Sequence, residues 1–252
     1  MNYLFEQLPL QVSNVINNYF NIKAGDESVV CPYYINIQKR LAHPTLTGKG
    51  NPQEIEDLLN GLSSSLNFSF EKKSLDEVRK FMIKNDIGID CSGFVARLLD
   101  ILLICKTNKG LTEHFIHKKS PYRNFIYKLR PWSNMSADSL TNEKNTFKID
   151  YHDVKPGDLI RSKGSIQGAH ILFITNVERK QNELKSIQYV HSTARYGDSN
   201  GVRLGQINIT SSSEPLQNQE WIDNDIDGSN PTLDGYKKFV TDNGIRRFKV
   251  LN

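Results

Sequence analysis

The sequence predicts an α+β fold, and two observations carry that prediction. Helix-capping signatures and apolar residues at helical spacing fill the first half of the chain, and from residue 154 onward the apolar period shortens to that of strands. Helices first, then a run of strands that reads as antiparallel, is the order of an α+β domain rather than of alternating βα units. No internal repeat interrupts the pattern.

Taken in order, Leu8, Val12, Val15, Ile16 and Phe20 form the apolar stripe of a helix over residues 8–20. Pro9 falls in its first turn, where the missing N–H costs little. This helix belongs to an N-terminal helical extension, residues 1–27. Asn51-Pro-Gln-Glu54 reads as N-cap, N1 proline and capping-box acid, and opens a helix through Ile55, Leu58 and Leu59. Ser74-Leu-Asp-Glu77 is a second capping box, starting a helix toward Ile83, with a polar connector over 63–70 between the two. These helices either pack on the helix that follows or form a small lobe beside it. Asp90 caps that next helix, whose Val95, Leu98, Leu99, Leu102 and Leu103 recur at core spacing, with Cys105 read as core too. Residues 111–131 continue helical and 132–150 are loop-rich. Strands are expected at 158–162, 170–178, 186–193, 202–209 and 245–250.

Composition bounds the function. With 252 residues, 38% hydrophobic, the chain can bury one sizeable core. It has no run of about 18 apolar residues, so no membrane span is expected. The start carries an acidic residue and no basic, apolar leader, so as written the chain is expected in the cytoplasm. A net charge of +4 is spread over doublets, Lys72-Lys73, Lys118-Lys119, Lys237-Lys238 and Arg246-Arg247, read as solvated surface. No aromatic-interleaved basic stripe points to nucleic acid. Three scattered cysteines, at 31, 91 and 105, make neither a disulfide framework nor a metal pair and fit a reducing compartment.

The chemistry gathers around Ile-Asp-Cys-Ser-Gly-Phe-Val at 89–95. Cys91 lies in the first turn of a helix, where the dipole and unpaired N–H groups favour the thiolate. Gly93 leaves room for a close approach by backbone or substrate. Taken alone, these residues leave catalysis and packing equally open. A cysteine nucleophile needs a base and a group that orients it. His170 opens the run His170-Ile-Leu-Phe-Ile-Thr-Asn-Val177, and His191 sits in the next strand, so both roles have candidates.

Asp90-Cys91-Ser92-Gly93-Phe94, then Pro156-Gly157-Asp158-Leu159 leading to Gly168-Ala169-His170-Ile171, then Val190-His191-Ser192, resembles the NlpC/P60 cysteine peptidases, papain-like hydrolases of bacterial cell-wall peptides. The likeness covers roughly residues 90–210. It implies a papain-like fold with the nucleophile helix packed on an antiparallel sheet, in a catalytic domain over 28–252 with a helical insertion around 51–84. Residues 243–250 resemble its last core strand. It implies Cys91 as nucleophile, His170 as general base and His191 as the residue orienting His170, with no cofactor. A family tyrosine that lines the site would be Tyr33 or Tyr34, further upstream of the cysteine than is usual. Some relatives hold a free substrate amine with the residues flanking the cysteine, here Asp90 and Ser92, although N-capping explains Asp90 equally well. The implied substrate is a muropeptide, cleaved between γ-D-glutamate and a diamino acid. A cytoplasmic chain sits awkwardly with that. Recycling of imported wall peptides, release by lysis or a secretion machine, or a non-wall substrate would each reconcile the two. The rival readings are a papain-like amidase or acyltransferase on another substrate, and a non-catalytic binding module.

Two other patterns compete for notice. Asp223, Asp225, Asp227 and Asp234 with Gly228 fit calcium-loop spacing, but with Asp for the last Glu, Asn230 at an apolar position and Pro231 in the loop. The alternatives are an acidic surface loop between strands, or a loop over the active-site cleft that attracts an ammonium group. His114 and His117 stand three apart on an expected helix but lack the further ligands a zinc site requires, and read as surface. His43 and His152 read as solvent-facing or capping residues.

Overall fold

A computed structural model describes residues 3–36, 43–116, 130–165, 168–225, 227–238 and 242–252. The fold is α+β, built on a large antiparallel sheet. Its strands are β1 (Tyr3–Gln7), β4 (Thr146–Ile149), β5 (Leu159–Ser165), β6 (Gly168–Lys180), β7 (Glu183–Thr193), β8 (Gly201–Asn208), β9 (Glu220–Ile222) and β10 (Gly244–Phe248). They lie in the order β4-β10-β5-β6-β7-β8-β9. β1 pairs with the far half of β6, Tyr3 opposite Lys180 to Gln7 opposite Asn176, and so continues the line of β5. A separate hairpin joins β2 (Ile22–Ala24) and β3 (Glu27–Val29).

The helices are α1 (Leu10–Phe20), α2 (Pro52–Ser65), α3 (Leu75–Lys84), α4 (Cys91–Thr107), α5 (Leu111–His114), α6 (Ala137–Leu140) and α7 (Pro231–Lys237). Both capping boxes close as the sequence predicts, Asn51 with Glu54 and Ser74 with Glu77. α4 lies across β6 and β7 and is buried along most of its length because its apolar residues wrap beyond one stripe. Phe94, Leu98 and Leu102 meet Leu159, Phe173 and Val190 on one face of the sheet. Ile160, Leu172, Ile174 and Tyr189 form a second core on the other face with Trp221 and Tyr236.

Several expectations are corrected. Residues 3–29 are no appended extension: Val12, Ile16, Tyr19 and Ile22 enter the same core as Phe94, and β1 joins the main sheet. Of the two alternatives for α2 and α3, packing with α4 is the one found, since Ile55, Leu59, Val78 and Met82 enter that core too. Pro9 stands at the N-cap of α1 rather than inside it. Cys105 is exposed, its place on the outer side of the last turns of α4 outweighing its apolar neighbours in sequence. Arg246 and Arg247 are buried rather than solvated, Arg247 forming two bonds of 2.8 Å with the Asp158 carboxylate. Of the helix expected over 111–131, residues 117–129, His117 among them, lie outside the described residues; α5 ends at His114, whose ring bonds Thr107. No helix among the described residues is long and apolar enough to cross a membrane.

Candidate active site

The site forms where the sheet splits. On its β5 side, β6 uses the main-chain groups of residues in the phase of Ile174, which exchanges bonds with Gly157 and Asp158. Odd-numbered residues of β6 therefore face β7. The β6–β7 ladder starts only at Phe173–Val190, so His170–Leu172 and His191–Thr193 are not laddered to each other. The N-terminus of α4 meets this opening. The Ile171 N–H, turned into the opening, lies by the Cys91 thiol, and it and the Ser92 N–H favour the thiolate. Ser192 Oγ donates to the Ile89 carbonyl at 2.7 Å and ties β7 to the segment before the nucleophile.

Across the opening, His170 Nε2 and His191 Nδ1 lie 2.8 Å apart, their rings edge to face. His170 and His191 are thus brought together, and Cys91 lies by the main chain of Ile171, one residue along β6 from His170. Since Nε2 of His170 is taken by His191, its Nδ1 is the nitrogen left for the thiol. Behind them stands a residue the sequence did not reveal as part of the site. Asp223 Oδ2 lies 2.9 Å from His191 Nε2, and its side chain is fully buried. Arg203 Nε donates to Oδ1 at 2.7 Å while lying over the Tyr196 ring; Thr232 and Tyr189 hydroxyls donate to Oδ2.

That arrangement overturns the calcium reading for Asp223, whose oxygens are committed to protein donors. The remaining loop closes on itself through Asp225 N–H to Ser229 O and Ser229 to Asp227, while Asp234 lies within α7.

Asp90 caps α4, accepting the Gly93 N–H at 2.6 Å. Asp90 and Ser92 do come together, but around Lys49. Its Nζ lies 2.7 Å from Asp90 Oδ1 and 2.5 Å from Ser92 Oγ, all three residues being buried. A substrate amine would have to displace Lys49, and this corrects the expectation that the pair is open to one. Gly93 serves backbone packing, since a Cβ there would strike the Gly48 carbonyl and Lys49. Of the two tyrosines, Tyr33 is the one at the site. It bridges to Ile89, and burial, then the nearby Cys91 and Asp90, raises the pKa of its phenol. Tyr34 turns toward the Leu46 carbonyl and Asp86.

The electrostatics correct the expectation of a resting thiolate. Burial, then the Asp90 carboxylate, pushes the Cys91 thiol up to about 12; Lys49 and the N–H groups of Ile171 and Ser92 oppose this without prevailing. Burial, with the neighbouring His191 and Arg195, holds His170 well below the ordinary imidazole range. The resting pair is therefore a neutral thiol and a neutral imidazole. Burial raises Asp223 as well, but its bonds from His191, Thr232 and Arg203 win, and its carboxyl stays well below the usual carboxylate range.

Compared with known proteins, the chain matches no family model, and no curated protein matches it.

Proposed function

We propose that this protein is a papain-like thiol hydrolase of the NlpC/P60 kind that cleaves an amide bond. The observation supporting this reading is a partly buried thiol at a helix start, by the main chain of the residue that follows a histidine whose Nε2 is held by a second histidine. Nucleophile, base and orienting group each have a residue of suitable type. A buried cysteine used only for packing needs neither imidazole.

Because the resting pair is neutral, proton transfer accompanies attack. His170 Nδ1 takes the thiol proton as Cys91 Sγ bonds to the amide carbonyl carbon. The carbonyl oxygen becomes an oxyanion, stabilised by the Cys91 main-chain N–H. Tyr33, kept protonated, is a second donor. Such a donor is worth about 3–4 kcal/mol in hydrolases where one has been removed. His170 returns the proton to the leaving nitrogen, the C–N bond breaks, and a thioester remains. Water, losing a proton to His170, then releases the acid, and the thiol is restored. The substrate we favour is a wall stem peptide, cleaved between γ-D-glutamate and a diamino acid. With Lys49 seated between Asp90 and Ser92, recognition there does not require a free substrate amine.

The test is a burst assay with a p-nitrophenyl ester, followed by stem-peptide and amide libraries. The wild type should release one equivalent of nitrophenolate rapidly, with the acyl group found on Cys91. Cys91→Ala should show no burst, and His170→Ala should slow it by about 10²-fold or more. No burst and no amide turnover in the wild type would leave a binding module.

A further inference from the structure

We infer that Asp223 is a positioning residue of this site, which acts through His191 to fix the tautomer of His170 able to accept the Cys91 proton. The inference rests on the hydrolase reading for its consequence, but on hydrogen-bond chemistry for its content. An ionised carboxylate can only accept hydrogen bonds. Asp223 Oδ2 lies 2.9 Å from His191 Nε2, so that nitrogen carries the proton. A neutral imidazole has one N–H, so in that form His191 presents a lone pair at Nδ1. Its neighbour at 2.8 Å, His170 Nε2, must then be the donor. Nδ1 of His170 is left as the free base. One carboxylate thus sets the direction of a chain from Asp223 through His191 and His170 to Cys91.

The setting favours a fixed direction. Asp223 and His191 side chains are both fully buried, so no solvent competes for Nε2. Arg203 neutralises the carboxylate from its other oxygen, and Arg195 adds positive charge near His170, discouraging a second proton on that ring. The same carboxylate also ties Tyr189 of β7, Arg203 of β8 and Thr232 of α7, so a purely structural role must be separated from the positioning one.

Asp223→Asn separates them. The amide keeps the shape, and Arg203, which can only donate, holds its oxygen at the Oδ1 place, so its NH₂ faces His191 Nε2 as a donor, which reverses both rings and places the proton of His170 on Nδ1. In a serine-protease triad the same exchange traps the wrong tautomer and costs about 10⁴-fold. The experiment is long-range ¹H–¹⁵N correlation of the ring nitrogens at pH 8, without substrate, alongside the nitrophenyl burst. Wild-type protein should show Nε2–H on both His170 and His191. Asp223→Asn should show Nδ1–H on both and a burst about 10²–10³-fold slower. Thr232→Val, which removes another bond to the same carboxylate, should lower the melting temperature and leave both tautomers unchanged. Wild-type rings bearing Nδ1–H would overturn the inference with no variant needed. So would a folded Asp223→Asn with unaltered tautomers. Because the tautomers are read without substrate, a wild type lacking the burst counts against the hydrolase alone.

Discussion

Lys49 and Asp90 bracket Cys91 with opposite charges, and each is almost wholly buried, 7% and 1% exposed. A buried pair of this kind is costly to break and inexpensive to replace as a whole. Lys49→Met should therefore lose about 3–5 kcal/mol in urea denaturation, the range found when one partner of a buried pair is removed. It should also move the pH profile of Cys91 alkylation upward, because Asp90 would face the thiol uncompensated. Asp90→Asn should move that profile downward, leaving Lys49 as the nearer charge, while asparagine still caps α4. The double variant should recover most of the stability and return the profile toward the wild type. Independent, additive effects would show that the pair is not coupled at the thiol. Lys49 was invisible in the sequence because nothing local marks a lysine after Gly48 as buried. Asp223 was visible for the wrong reason, its spacing suggesting a calcium loop when its partners come from β7, β8 and α7. Cys91, His170 and His191 were legible because each stands in a local context, a helix start or a strand, that the chemistry requires.

At the scale of elements, α4 reaches its place only because its first turn can lie against the backbone of Gly48 and Lys49. Gly93→Ala puts a Cβ into the Gly48 carbonyl and should destabilise the protein by about 1–3 kcal/mol, as overpacking does, while slowing the burst by shifting Cys91. Gly61→Ala in α2 meets no heavy atom within 4 Å and should instead stabilise by about 0.5–1 kcal/mol, the helix-propensity gain alone. Opposite signs in denaturant melts check the pair together; a neutral Gly93→Ala would mean that α4 can back away. The elements read best from sequence are those with local signals. The two capping boxes and the Asp90 cap set the starts of α2, α3 and α4, and alternating apolar residues set β5 to β8 and β10. β1, β2, β3, β4 and β9 have five residues or fewer and lie outside the expected strands, too short to show a period, and β1 is a strand only through a partner far away in sequence, some 170 residues off in the half of β6 it pairs with.

For the whole molecule, the site places groups with displaced protonation where the two cores meet across the split sheet, and this ties stability to pH. His170 titrates lower folded than unfolded, where about 6.5 applies. Below that value the unfolded chain binds a proton that the folded chain does not. Its contribution is thus present above about pH 6.5 and lost as pH falls toward the folded pKa. Asp223 adds a second loss at lower pH, since its folded pKa lies below the usual 3.8 and its contribution goes as its carboxylate is protonated. Cys91 has the opposite sign. Raised from 9.0 to about 12, it keeps in the folded state a proton that the unfolded chain releases above about 9, so stability falls as pH rises through that window. Urea denaturation should accordingly show a plateau between about pH 6.5 and 9, bounded by these groups. His170→Gln should flatten the slope between pH 6.5 and 5 while leaving the fall below pH 4 in place. Cys91→Ser should reduce the alkaline fall only in part, because Cys31 is also raised, by burial. An unchanged slope between pH 6.5 and 5 in His170→Gln would show that His170 carries its proton equally in both states. The neutral thiol–imidazole pair, and with it the concerted first step, would then have to be abandoned in favour of a resting ion pair.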